Sequence, residues 1–257
     1  MNKLAAAAVV VLAASSVWAV PGTIRTVNND QKSGDIKWQR SSKSYVLTFK
    51  KGKTDVSAEY PISDVAKLDV DKPANYDKLV DMVSRGQGAG AIAGLTAIVN
   101  EYKMLQWDKA AGRYLVEAYL SANNAQKAYE VATGIIGDDK SAAWSGDLAP
   151  AYWQALLKLG KNTQLENCLR KAASSGDRGT SAEALVMRGD MILANGGDTP
   201  DAYRQALTDA YLRVALMYTD DACKAARASA MQKAASCLDK LGMAARAESI
   251  RTQARTL

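Results

Sequence analysis

The chain has 257 residues, with 33 Lys and Arg against 27 Asp and Glu, and it contains no histidine. The lack of histidine excludes a Ser-His-Asp triad, a Cys-His nucleophile pair and a His-ligated zinc site within the chain. Its 3 cysteines are too few for a zinc site built from cysteine alone. We therefore predict no catalytic residue, no metal ligand and no cofactor-binding residue.

Residues 1–19 have the pattern of a secretory signal peptide. Lys3 precedes an apolar run, Leu4 to Ala14, and Val17-Trp18-Ala19 is a small-x-Ala cleavage signal. The run is shorter than the ~20 residues that span a bilayer. We expect cleavage between Ala19 and Val20 and release into the periplasm or the medium of a Gram-negative-type cell, without a membrane span. A buried N-terminal helix is the alternative.

Residues 20–72 are predicted to form a small β-domain. Val, Ile, Thr and Tyr alternate with polar residues, which is typical of half-buried strands. The strands are predicted at residues 23–28, 34–40, 44–50, 54–61 and 66–70. Five strands with a tight turn before the last one resemble the small SH3-like or Sm-like barrels. The resemblance implies a closed barrel.

After Pro73 the alternation stops and the apolar period becomes three to four, so residues 73–257 are predicted to be α-helical. The expected fold class is α+β, mainly α. A turn residue recurs, followed five positions later by a small or apolar anchor: Gly86 and Ala91, Asn123 and Ala128, Gly160 and Leu165, Gly242 and Ala247.

A fifth unit of the same kind has Asn195-Gly196-Gly197 followed by Ala206 after a longer loop. The five anchors are then 37, 37, 41 and 41 residues apart. A period in this range indicates an antiparallel helical-hairpin solenoid. A plain helical bundle with helices of similar length is the alternative.

The last two units resemble tetratricopeptide repeats. Leu185, Gly189 and Ile192 have the spacing of the first-helix positions of that family, and Ala206 is the small second-helix residue. In the final unit the equivalent positions are Met231, Ala235, Leu238 and Ala247, with Gly242 at the turn. The period is longer than the family's about 34 residues, and the family's first-helix Trp and closing Pro are absent. The resemblance implies a protein or peptide partner.

Three residues that we expect at the surface are candidates for contact with a partner. Trp144 lies in a loop between helices, without a periodic apolar partner, and aromatic residues are common anchors at interfaces. Arg246 and Arg251 belong to a basic C-terminal segment that could face an acidic surface. A polar outer face of a terminal capping helix explains the same charges.

The sequence does not decide whether any two of the three cysteines form a disulfide. Cys223 and Cys237 are 14 residues apart on one predicted helix, so their Cα atoms would be about 21 Å apart. That distance excludes a disulfide between them. Cys168 could pair with either, or all three could be buried apolar residues.

Three functions remain compatible with the sequence. The first is an exported, non-catalytic adaptor or scaffold of the cell envelope that presents a helical-repeat surface to a protein or peptide, with no role for nucleic acid. The second is an envelope enzyme or carbohydrate-binding module that uses loop carboxylates and Trp144. The third is a structural subunit of an envelope assembly. The oligomeric state does not follow from the sequence.

Overall fold

The computed structural model describes residues 19–257. The predicted signal peptide therefore lies outside the described residues, apart from Ala19. The chain divides into two compact units, of which the first ends at Ala122 and the second spans Asn123–Leu257. The predicted fold class is confirmed, because an antiparallel sheet is followed by helices throughout the remainder of the chain.

The sheet contains five antiparallel strands, as predicted, with small shifts at their ends. The strand order is β4-β3-β2-β1-β5. Their bounds are β1 (Val20–Thr26), β2 (Gln31–Gln39), β3 (Ser44–Lys51), β4 (Thr54–Pro61) and β5 (Val65–Val70).

The strand register puts apolar side chains on one face of the sheet. Val20 and Leu47 both lie opposite Ile36 on neighbouring strands, and none of the three is more than 2% exposed. The other face is polar. There the hydroxyls of Thr48 and Ser57 are hydrogen-bonded at 3.0 Å across β3 and β4. This alternation is what the period of two in the sequence encodes.

The sheet is open, with β4 and β5 as its edge strands. A 3₁₀ turn over Ile62–Asp64 separates these two strands, and β5 continues into its ladder with β1. Closure would require hydrogen bonds between β4 and β5, and no such ladder is present among the described residues. The closed barrel expected from the strand pattern is therefore corrected to an open sheet.

Three helices complete the first unit: α1 (Tyr76–Ser84), α2 (Gly88–Glu101) and α3 (Trp107–Ser121). Gly88 lies so close to α3 that a Cβ on it would be 3.0 Å from the Ala118 Cα. The Trp107 indole N–H donates to the Val70 carbonyl at 3.0 Å, which joins α3 to the end of the sheet.

The loop between α2 and α3 is held by a buried carboxylate. Met104 and Gln106 have positive φ angles of 58° and 80°, a region that non-glycine residues seldom adopt. Asp108, which is 3% exposed, accepts the Met104 N–H at 2.8 Å and the Lys109 N–H at 2.9 Å. Burial raises the pKa of Asp108, while these N–H donors act in the opposite direction.

The second unit is entirely helical apart from its turns. Its helices are α4 (Ala125–Asp138), α5 (Leu148–Lys158), α6 (Asn162–Ala173), α7 (Arg178–Gly196), α8 (Pro200–Ala206), α9 (Leu212–Met217), α10 (Lys224–Lys240) and α11 (Ala244–Ala254). A π-helical segment, Leu207–Tyr211, joins α8 to α9. Among the described residues, no helix has the length and apolarity needed to cross a membrane.

The helices of the second unit pair as repeated hairpins. The pairs are α5 with α6, α7 with α8 and α9, and α10 with α11. The first helix of each hairpin also contacts the first helix of the next, since α5 contacts α7 and α7 contacts α10. This sequential stacking is the arrangement of a helical-repeat protein.

The periodic turn and anchor residues have the conformations that such hairpins need. Left-handed φ angles between 57° and 77° occur at one turn residue of each of the five helical repeats. These residues are Gly86, Asn123, Gly160, Gly197 and Gly242. The five anchors have 0% exposure: Ala91, Ala128, Leu165, Ala206 and Ala247. Gly189 and Ala235 are also buried. A left-handed residue ends each first helix, and at four of the five anchors an alanine then allows close helix crossing.

Candidate functional site

An open groove lies between α6 and α7 in the second unit. Its volume is about 360 Å³, within the usual range for ligand sites. The α6 wall is a helical stripe with spacing i, i+3, i+4, i+7 and i+8, and the α7 wall is a shorter stripe. The lining residues are Glu166, Leu169, Arg170 and Ala173 on α6, Ser174 at its C-terminal cap, and Ala184, Leu185 and Arg188 on α7.

Small side chains on both walls create the groove. Ala173 and Ser174 at the end of α6 and Ala184 on α7 leave space that larger residues would fill. Leu169 and Ala184 form an apolar floor and are 3% and 2% exposed, respectively. Leu185 is partly buried, and it also packs against the apolar core shared by α7, α9 and α10.

Two arginines stand at the rim of the groove. The Arg188 guanidinium is 3.9 Å from the Glu166 carboxylate, longer than the about 2.7–2.9 Å of a strong charge-assisted hydrogen bond. The Arg170 guanidinium donates to the neutral side chain of Asn167 at 3.1 Å. Both guanidinium groups therefore keep donors available for an incoming acceptor.

The start of α7 is fixed by its N-terminal cap. The Asp177 carboxylate accepts the Gly179 N–H at 3.1 Å and the Thr180 hydroxyl at 3.1 Å. Arg178 forms an ion pair with Asp220 and donates to the Met217 carbonyl at 3.0 Å. These contacts tie the start of α7 to the end of α9 and to the segment that leads into α10.

A polar network fixes α7 deeper in the unit. Asp190 Oδ1 accepts hydrogen bonds from the Tyr211 hydroxyl and the Lys233 ammonium, both at 2.7 Å. Burial raises the pKa of Tyr211, and the neighbouring Asp190 carboxylate adds to the rise, so the phenol stays protonated and donates. The network joins α7, the π-helical segment and α10. It thereby fixes the register of the helix that forms one wall of the groove.

The residues predicted for partner contact lie outside this groove. Trp144 is half-buried after a short 3₁₀ turn, and the Lys171 ammonium sits 4.2 Å from the centre of its ring. Arg251 forms ion pairs with Asp239 and Glu248. Arg246 on α11 is exposed. The structure does not bring these three residues together into one site.

The cysteines are dispersed and the carboxylates do not gather into a metal site. Cys168, Cys223 and Cys237 are buried and free, and burial raises the pKa of each thiol. No group of three or more Cys, Asp or Glu side chains within residues 19–257 is placed to hold a metal ion.

Sequence reasoning missed the groove residues as a site, although it named Leu185 as a packing position. The signal that would have helped is the stripe from Glu166 to Ser174. It places an alanine and a serine where an amphipathic helix usually carries larger apolar residues.

No family model matches the chain, and no curated protein matches it significantly. Two solved structures resemble it, a protein of Podosopora anserina described as a putative kinesin light chain with nearly identical TPR-like repeats and a form of that protein with one glutamine replaced by methionine. Each is 13% identical and covers 71% of this chain and 92% of its own, with TM-scores of 0.44 for the first and 0.46 for the substituted form. At these values the likeness carries no conclusion about function. The helical-repeat description rests on the hairpins themselves.

Proposed function

We propose that the chain is an exported, non-catalytic scaffold of the cell envelope that binds a protein or peptide partner in the groove between α6 and α7. The observation that carries the proposal is the groove itself. It combines an apolar floor, an open rim and two arginines with unused donors. Its α7 wall is held by an N-terminal cap and a partly buried polar network, and a rigid wall reduces the entropy lost on binding.

Export is supported by where strand β1 begins. Val20, the residue after the predicted cleavage site, is the first residue of β1, pairs with Ile36 and is 2% exposed. Ala19 is exposed and outside the sheet. Cleavage between Ala19 and Val20 would leave the whole ladder of β1 intact.

Export is tested by expressing the full chain in a Gram-negative host and sequencing the N-terminus of the protein in each fraction. We expect a chain that begins at Val20 in the periplasm or the medium. An unprocessed chain confined to the cytoplasm would contradict export. Replacing Ala19 with a large residue should block processing in the same host.

Partner binding is tested by photocrosslinking. A photoreactive phenylalanine derivative at Asn167, which is exposed on α6 beside Arg170 and outside the groove lining, should give a discrete adduct in envelope extracts. The matched control carries the same group at Ala245, which is exposed on α11. Equal labelling from both positions, or no adduct from either, would count against a scaffold role for the groove.

The open sheet favours a second candidate, a structural subunit that assembles by strand addition. Edge strands β4 and β5 present unpaired backbone groups. Val27 and Ile62 are 61% and 45% exposed, and the Val27 N–H donates to the carbonyl of Asp64, in the same turn as Ile62. Light scattering after size exclusion should show an oligomer that the double substitution Val27→Lys and Ile62→Lys dissociates. A monomer would exclude this candidate.

A further inference from the structure

We propose that the free edge of β4 pairs with β4 of a second copy of the chain, antiparallel and centred on Val56, so that two five-stranded sheets join into one. This rests on the second candidate function, assembly by strand addition, and it names the edge, the partner and the register. The surface lies in the first unit and is separate from the groove. Backbone direction, apolar surface and charge along β4 support the same pairing.

The two edges of the sheet are not equally open. β5 has six residues, and the carbonyl of Val70 at its end already accepts the Trp107 indole N–H at 3.0 Å. β4 has eight residues, and within residues 19–257 no hydrogen bond to its outward backbone groups is present. Because an unpaired edge is a template for another strand, β4 is the better site for strand addition.

The register of β3 and β4 fixes which backbone groups of β4 face outward. The Ile62 N–H donates to the Lys43 carbonyl at 3.2 Å, directly beyond the ladder of the two strands. Hydrogen-bonded pairs alternate with non-bonded pairs along an antiparallel ladder, so the even-numbered residues of β4 bond to β3. The N–H and C=O groups of Asp55, Ser57 and Glu59 therefore point away from β3 and are available to an added strand.

The inner side chains of β4 leave apolar surface at this edge. Val56, Ala58 and Tyr60 occupy alternate positions, and Ala58 lies opposite Leu47 on the apolar face of the sheet. All three are only partly buried, whereas Leu47 on the neighbouring strand is 0% exposed. Pairing centred on Val56 would place this side chain beside its own copy and remove apolar surface of both from water.

The charges of β4 disfavour most symmetric registers. With the hydrogen-bonding groups of both copies matched, the two-fold axis can pass through any residue from 55 to 59. An axis at Asp55 or Glu59 places that acid opposite its own copy, and an axis at Ser57 places the two acids opposite each other. Like charges directly opposite destabilise a sheet. An axis at Ala58 places Asp55 opposite Pro61, which has no N–H to donate.

An axis at Val56 brings opposite charges together. Glu59 of each copy then lies opposite Lys53 of the other, and both residues are exposed. Neither forms an ion pair in the part of the chain that the structure describes. Asp55 then lies opposite a serine of the other copy and keeps Lys50 opposite it on β3. The register is therefore self-complementary, as a two-fold interface requires.

The charge pairs provide a reciprocal test. Glu59→Lys and Lys53→Glu should each weaken the dimer at least about five-fold, because the two-fold symmetry turns two attractive pairs into two repulsive ones. The variant with both substitutions should regain most of the wild-type affinity. Sedimentation equilibrium measures the dissociation constant on protein purified after expression of the full chain. Asp69→Lys is the matched control, since Asp69 is an exposed acid on β5, and it should leave the dimer unchanged.

A single cysteine tests the register directly. In the proposed pairing Val56 lies beside its own copy in a pair without mutual hydrogen bonds, where Cα atoms are about 4.5 Å apart, and a disulfide spans that distance. Val56→Cys should therefore give a disulfide-linked dimer when oxidised glutathione is added. Ala58→Cys, on the same face, would lie opposite Thr54 and should not be linked. The native cysteines are buried and free, and circular dichroism checks that each variant is folded.

The outcomes separate this register from strand addition in general. An oligomer that Val27→Lys and Ile62→Lys dissociate, but that Val56→Cys does not link, would overturn the register while the strand-addition candidate stands. Failure of the double charge exchange to restore affinity, or an equal loss from Asp69→Lys, would overturn it too. A chain that stays monomeric at every concentration would overturn both. The crosslinker at Asn167 tests the groove independently of these results.

Discussion

Gly189 is the position at which one added methyl group should damage the second unit most clearly. A Cβ on Gly189 would be 2.4 Å from Tyr211 Cε1 and 2.6 Å from Cζ. The Tyr211 ring has 0% exposure and its hydroxyl is bonded to Asp190, so it cannot swing into solvent. The Gly189→Ala substitution therefore forces the ring out of its place in a close-packed core.

The expected loss of stability can be assembled from three contributions. Overpacking of a core costs about 1–3 kcal/mol, and disturbing a hydrogen bond to a charged group costs about 1.5–3 kcal/mol. The better helix propensity of alanine returns about 1 kcal/mol. The net loss is about 1.5–5 kcal/mol, or a fall in Tm of about 3–20 °C for a chain of this size.

Gly134 on α4 provides the matched control within the same unit. It lies inside a helix, its φ is not positive, and a Cβ there would meet no atom within 4 Å. Gly134→Ala should therefore stabilise the unit by about 0.5–1 kcal/mol. Urea unfolding followed by circular dichroism measures both variants. A Gly189→Ala variant as stable as the wild type would refute the packing argument, and so would two variants that shift in the same direction.

Three smaller predictions concern local features. Asp177→Ala removes the N-terminal cap of α7 and should cost about 1 kcal/mol in urea unfolding, whereas Asp177→Asn should keep most of the cap. Asn123 has a φ of 57°, so Asn123→Ala should cost about 1 kcal/mol and Asn123→Gly should not; equal effects would contradict the backbone explanation. Burial raises the pKa of Asp108 above its ordinary 3.8, so the folded state binds this proton more tightly than the unfolded state. The contribution of Asp108 to the free energy of unfolding should then increase as the pH falls through the raised value, and Asp108→Asn should remove that pH dependence.

The sequence predicts the order of strands and helices well, because the apolar period of a segment reports its local geometry. The period of two placed the strands, and the change after Pro73 marks the end of the sheet. The positions of the turns could also be predicted from local sequence. Gly160 and Gly242, for example, have the left-handed φ that glycine adopts without strain.

The candidate site could not be predicted in the same way, because it depends on pairs of residues that the period does not connect. Asp190 meets Tyr211 and Lys233 at sequence separations of 21 and 43 residues. Ala173 and Ala184 each resemble an ordinary helix-packing alanine, and only their placement on facing walls makes a groove. The open edge of the sheet was hidden for a related reason, since strands alternate in the same way in an open sheet and in a closed barrel.

The same choice of small residues serves two purposes in the second unit. At Gly189 and Ala206 a small side chain permits close helix contact, and both positions are covered by neighbouring residues. At Ala173 a small side chain is left exposed, so apolar floor remains open between α6 and α7. The contacts that fix these walls lie at Asp177 and Asp190, away from Arg170 and Arg188. Substitutions of the two arginines should therefore change binding with little effect on folding, whereas substitutions at Gly189 should change both.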